Sequence, residues 1–122
     1  MNNLKIYFYF SILCLILISC ENDIKFNKTG WLKKGDLNSF PNREKMLNDL
    51  MKNYKIKDLK YSELINLLGE PEIRTTSESI NAVYNIKTEY GNDIDPVYVQ
   101  ELNISLNADS VTQNCTLTNW KK

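Results

Sequence analysis

Apolar positions along the chain fall into distinct regimes. Between positions 6 and 18 every residue except Ser11 is apolar or aromatic. From position 21 onward apolar residues are spaced out by polar ones. Positions 21–30, ENDIKFNKTG, hold no consistent period and suit a flexible tether. Trp31, Leu32, Leu37 and Phe40 then suit an irregular arm. Ser39-Phe40-Pro41-Asn42, with Glu44 close behind, reads as a helix start. Met46, Leu47, Leu50, Met51 and Tyr54 recur at helical spacing, so a helix is expected over 42–54. A second is expected over 61–68, with Leu64, Ile65 and Leu68 on one face. Gly69 is expected in the left-handed C′ conformation, and Pro71 forbids continuation.

After Pro71 the period becomes two. Ile80, Ala82, Tyr84 and Ile86 share one face of a strand extending toward Tyr90. Positions 91–96 have turn composition. A strand over 97–106 turns Leu102, Ile104 and Leu106 inward, and Asn107-Ala108-Asp109-Ser110 makes a hairpin turn. Val111, Gln113, Cys115 and Leu117 are expected on one face of the last strand. Positions 73–77 suit at most a short irregular strand. The pattern predicts an α+β fold, with two short helices packed on a three-stranded antiparallel meander. Phe40 and Tyr84 are expected in its core. Trp31 and Trp120, near the ends of the folded region, are expected either in the core or on a partner surface.

The N-terminal run changes the picture from fold to location. Its 13 residues follow Lys5 and would rise about 20 Å as a helix, short of a bilayer core of roughly 30 Å. That length suits the apolar region of an export signal. The residues that close the run and pass beyond it, Leu17-Ile18-Ser19-Cys20, resemble the bacterial lipobox. The resemblance implies a diacylglyceryl group on the Cys20 thiol and cleavage just before it, with small Ser19 giving the peptidase access. The alternatives are an uncleaved membrane helix or a plain signal cut elsewhere. The expected organisation is a signal over 1–19, a lipidated Cys20 and tether over 20–30, and a domain over 31–122. Two or three acyl chains, at roughly 0.8 kcal/mol per buried CH₂, make a stable membrane anchor.

Cysteine and histidine counts then acquire meaning. Of Cys14, Cys20 and Cys115, the first leaves with the signal and the second becomes a thioether, so Cys115 has no partner for an intrachain disulfide. Its strand position suggests a small buried hydrophobe over a reactive thiol. The chain has no histidine, which excludes Ser-His-Asp and Cys-His nucleophile systems and imidazole metal sites. The formal net charge is zero, and no nucleic-acid partner is expected. The sequons at Asn27, Asn103 and Asn114 are taken as chance in an Asn-rich chain, because the lipobox points to bacteria.

Other candidate chemistry is sparse. Asn92, Asp93 and Asp95 offer oxygen ligands in a loop, but no EF-hand ligand set follows and turn composition explains them. Glu70, Glu72 and Glu78 near the helix–strand junction suit solvated surface, since nothing marks a cleft that would shift their pKa values. Lys45, Lys52, Lys55, Lys57 and Lys60, interleaved with Asp49 and Asp58, suit a solvated face or one touching anionic headgroups. No cofactor is expected beyond the acyl lipid on Cys20.

One family resemblance is visible. Tyr61-Ser62-Glu63-Leu64-Ile65-Asn66-Leu67-Leu68-Gly69-Glu70-Pro71, then Tyr84-Asn85-Ile86, then the strand ending at Leu106, together with the lipobox, resemble the SmpA/OmlA family of small outer-membrane lipoproteins. Trp31 followed by Arg43-Glu44-Lys45-Met46 is similar to uncharacterised bacterial lipoproteins that place such residues before the LG-x-P helix. The chain departs from the family pattern at Lys57-Asp58-Leu59-Lys60, where a glycine is usual. The resemblance implies a two-layer fold and a role beside the β-barrel assembly machinery. The expected function is therefore a non-enzymatic envelope lipoprotein that binds another envelope protein. The alternative is an inhibitor or immunity-type lipoprotein that captures a hydrolase or toxin. Fold alone does not decide between them.

Overall fold

A computed structural model describes residues 22–122. The chain runs through α1 (Lys28–Leu32), a 3₁₀ turn (Asp36–Asn38), α2 (Arg43–Asn53) and α3 (Tyr61–Leu68). It continues through β1 (Glu72–Thr75), β2 (Ile80–Tyr90), β3 (Pro96–Leu106) and β4 (Thr112–Lys121). The strands form one antiparallel sheet in the order β1-β2-β3-β4. The fold is α+β, with three α-helices and four strands rather than the expected two and three. The expected export signal, with Leu17-Ile18-Ser19 and the expected lipidation site Cys20, lies outside the described residues. No helix among the described residues is long and apolar enough to cross a membrane.

Both added elements are short. The Asn27 side chain caps α1 by accepting from the Gly30 amide at 2.7 Å, and five residues are too few to show a period. All four residues of β1 are exposed, so it has no alternating face, and backbone pairing from Glu72↔Val83 to Thr75↔Ile80 defines it.

The expected tether needs correction over its second half. The Ile24 amide donates to the Lys45 carbonyl at 3.0 Å, and the Phe26 amide donates to Asp49 Oδ2 at 2.8 Å. Phe26 is buried, with ring centroids 5.7 Å from Trp31 and 5.0 Å from Tyr54 in edge-on geometry. Packing thus begins near Ile24 and not at Trp31. A single aromatic among polar neighbours carries the attachment, which is why periodicity misses it.

The core forms between the helices and one sheet face. Helix α2 buries Arg43, Met46 and Leu50, spaced i, i+3, i+7, while Met51 and Tyr54 stay exposed. Helix α3 buries Leu64 and Leu68. Ala82, Tyr84, Ile86, Leu102, Ile104 and Leu106 complete the layer from the sheet. The Tyr84 hydroxyl donates to the Gly69 carbonyl at 2.8 Å, fastening the end of α3 to the middle of β2. Gly69 takes φ 81°, ψ −175°. It has the expected positive φ, but its ψ is extended rather than left-handed helical, a region open essentially to glycine alone.

Two bulges interrupt the strands, and the one in β4 alters an expected face. In β2 the register shifts between Asn85 and Lys87, so Ile86 is the extra residue. In β4 Leu106 pairs with Thr112 and Ile104 with Cys115, which inserts one residue on the β4 side. Thr112 therefore turns inward at 1% exposure, and Val111 and Gln113 leave the expected inner face. Thr112 Oγ1 donates to the Ile56 carbonyl and accepts from the Leu59 amide, tying the α2–α3 connection to the sheet. Leu117 sits on the inner side by register, paired with fully buried Leu102, but is exposed on the edge strand.

Candidate functional site

The helices cover only one of the sheet's two faces. The other carries Arg74 from β1, Val83 and Asn85 from β2, Val99, Glu101 and Asn103 from β3, and Thr118 and Trp120 from β4. These positions alternate with the core residues, as a pleated strand requires. At one end Arg74, Val99, Glu101, Thr118, Asn119 and Trp120 line a shallow groove of ≈ 320 Å³.

Charge is fixed within that groove. Arg74 makes two bonds to Glu101, from Nη1 to Oε2 and from Nη2 to Oε1, each 2.8 Å. Its Nε also donates to Glu72 Oε1 at 2.8 Å. The two carboxylates raise the guanidinium's pKa further above its ordinary value, and the Arg74 bonds hold the Glu72 carboxyl below the usual range. Arg74 spans three strands in this way, so its planar face is held in place. Trp120, paired with Val99, stands beside it at 51% exposure. A fixed Arg and a half-exposed indole are the side chains that dominate binding energy at protein interfaces. The surrounding Thr and Asn residues give a polar rim.

The two tryptophans expected as partner-surface candidates therefore separate. Trp120 is on the open face. Trp31 is fully buried among Phe26, Tyr84 and Arg43, and it offers no surface to a partner. This corrects the surface reading of Trp31; α1 turns the indole inward, where Gly30 leaves room for Met46.

A second polar feature, Arg43, lies inside the core at 4% exposure. Its Nε donates to the Trp31 carbonyl at 3.0 Å and its Nη1 to the Asn85 carbonyl at 2.8 Å. The guanidinium carbon lies 3.4 Å from the Phe40 ring centroid, 4.9 Å from that of Trp31 and 5.9 Å from that of Tyr84. No carboxylate forms an ion pair with it among the described residues. Burial lowers its pKa to about 10. Phe40, expected in the core, is half-buried at its rim and acts as the outer lid of this cation. Arg43 connects α1, α2 and the β2 bulge, so its role is to hold the fold.

The remaining sequence candidates stay apart. Cys115 is half-buried with Sγ 3.8 Å from Met51 Sδ, and burial pushes its thiol up to about 11, away from the reactive thiolate. Asp93 and Asp95 are exposed in the β2–β3 loop. Glu70 and Glu78 are exposed, and Glu72 is engaged by Arg74. No group of three or more metal-ligating side chains occurs among the described residues. Sequence reasoning missed the Arg74–Glu101 pair, because a separation of 27 residues carries no local signal. No family profile, curated protein or solved structure matches the chain in comparisons with each.

Proposed function

We propose that the protein is a membrane-anchored envelope lipoprotein whose domain is a non-enzymatic protein-binding module, with the open sheet face around Trp120 as its binding surface. One observation carries the reading. Leu17-Ile18-Ser19-Cys20 closes a 13-residue apolar run, and Ile24, whose backbone is bonded to α2, comes only four positions after that cysteine. An export signal, a lipid-attachment motif and a folded domain thus follow one another without a gap.

The binding surface is supported by its chemistry. Trp120 offers apolar area at low entropic cost, Arg74 is pre-positioned by two carboxylates, and the flanking Thr118 and Asn119 supply polar contacts. The lack of histidine in the sequence weighs against hydrolytic catalysis. The resemblance to the SmpA/OmlA family makes outer-membrane assembly or integrity the specific version of this role.

The test combines intact mass with capture. The purified protein should lack residues 1–19 and carry acyl chains on Cys20. Crosslinked envelopes should yield a discrete envelope protein with the wild type and at least tenfold less with Trp120→Ala, on the scale of a hot-spot loss of about 2 kcal/mol. Recovery of one soluble hydrolase or toxin would favour the inhibitor-type role instead. Retention of residues 1–19 with an unmodified cysteine would overturn the anchor.

A further inference from the structure

The charge that cancels over the whole chain does not cancel locally. Over residues 21–60, nine lysines and Arg43 stand against six carboxylates. Over residues 61–122, nine carboxylates stand against four cations. The first stretch contains α1, α2 and their connections, and the second contains α3 and the whole sheet. All nine lysines of the first stretch are exposed. Positive charge is therefore in surplus on the α1–α2 side of the domain, and negative charge on the remainder, α3 and the sheet.

The chain from the anchor cysteine arrives on the basic side. Ile24 is bonded to Lys45 and Phe26 to Asp49, so the arm lies along the outer face of α2. Lys25 and Lys52 border the same shallow groove as Asp23 and Ile24, and Lys45 carries the carbonyl that receives Ile24. Two carboxylates lie among these three lysines, so the positive surplus there is one charge and the rest comes from the other lysines of the stretch. Asp49 accepts from the Phe26 amide and from Asn53, and Asp23 accepts from Asn48. From Cys20 to Ile24 a fully extended chain reaches at most about 14 Å, under two Debye lengths of about 8 Å at physiological salt.

We propose that the outer face of α2, with residues 22–25 laid along it, rests on the anionic phospholipid headgroups of the membrane that holds the lipid. This rests on the anchored reading of Cys20 and adds an orientation to it. The short leash confines the domain near the surface. The basic side is attracted to a negative leaflet and the acidic side is repelled, so one orientation is selected. The Trp120–Arg74 groove, on the opposite layer, then points away from the membrane toward a partner.

Lysine acetylation of the full lipidated protein tests this. The protein is anchored in vesicles of phosphatidylcholine alone, or with one third phosphatidylglycerol, and the labelling rate of each lysine is read by mass spectrometry. An anionic surface raises local proton activity, so the free-amine fraction of Lys25, Lys45 and Lys52 falls and their labelling slows roughly fivefold. Lys121 and Lys122 keep their rates, and 0.5 M NaCl restores the slowed ones. A Lys25→Glu/Lys45→Glu/Lys52→Glu variant, labelled at Lys28 and Lys55 as reporters, loses most of the lipid-dependent slowing. Equal rates in the two vesicles, or slowing at Lys121 and Lys122 instead, overturns the orientation while leaving the anchor intact. Slowing of the three lysines in both vesicle types alike assigns the face to protein contact and also overturns it. A protein that stays off both vesicles, with no acyl mass on Cys20, overturns the anchor reading and the orientation with it.

Discussion

Arg43 donates its Nε–H to the carbonyl oxygen of Trp31 at 3.0 Å, while its guanidinium carbon stands 4.9 Å from the same residue's indole centroid. One cation thus holds both the backbone and the ring of the residue that joins α1 to the core. Its second bond, to the Asn85 carbonyl, falls beside Ile86, the extra residue of the β2 bulge. The arrangement places a full charge in the core with carbonyl dipoles and aromatic faces as its only partners among the described residues. Such a site depends on geometry more than on charge, because a buried cation that loses one partner keeps its whole desolvation cost.

Arg43→Lys is therefore not conservative. A single ammonium cannot bond both carbonyls and stack on Phe40 at once. Loss of one charge-assisted bond and the stacking should cost about 2 kcal/mol, and Arg43→Ala about 3 kcal/mol or more, since it leaves two carbonyls without partners. Urea unfolding midpoints measure both. A midpoint for Arg43→Lys equal to the wild type would remove the planar-fork account.

Gly69 supports a second stability prediction. Its φ of 81° with ψ of −175° is a conformation that other residues rarely adopt. A Cβ there would also lie 2.6 Å from Leu32 Cδ2. Gly69→Ala should lose about 2 kcal/mol. The Leu32 contact is the end of a flexible side chain and the backbone strain is not, so Leu32→Ala in the Gly69→Ala background should recover only the smaller part. Full recovery in the double variant, by the same urea titration, would show that the backbone costs nothing.

Alkaline pH should weaken the fold through Cys115 before other buried groups respond. Burial raises its thiol from an unfolded value near 9 to about 11, so the unfolded chain releases its proton first. The contribution is complete below pH 9 and is lost as pH rises toward 11. Burial also raises the Tyr84 phenol, whose effect begins near pH 10. Arg43 acts in the opposite sense above about 10, because its charged form is the one that burial disfavours. Between pH 8 and 10 the wild type should therefore lose on the order of 1 kcal/mol relative to Cys115→Ala. Parallel stability profiles for the two proteins over that range would mean that the thiol is solvated.

The regular elements were legible where burial followed a period. Helix α3 matches its expected bounds, and α2 and the three long strands lie within two residues of theirs. What escaped was held by single contacts. The Asn27 cap and Phe26 fix α1 and the arm before it, yet neither creates a pattern. The β4 bulge reversed the expected face at Thr112, since one inserted residue exchanges inside for outside. The candidate site was half legible: an aromatic near the chain's end marked Trp120, whereas the Arg74–Glu101 pair exists only once β1 and β3 flank β2.

The two tryptophans supply a direct experiment on that division. Trp31 is fully buried and touches Phe26, Tyr84 and Arg43, so Trp31→Ala should cost about 3–5 kcal/mol. Trp120 is half-exposed on a sheet face that no helix covers, so Trp120→Ala should change stability by less than about 1 kcal/mol. Their emission should divide in the same way. In Trp120→Phe the remaining indole should emit at shorter wavelength and resist iodide, whereas in Trp31→Phe it should be quenched at a rate close to that of free tryptophan. If both indoles resist iodide in the isolated protein, the open face is covered and a partner cannot reach Trp120 without displacing something. If Trp120 is quenched alone but regains protection when the captured envelope protein is added, the groove beside Arg74 is where the two proteins meet.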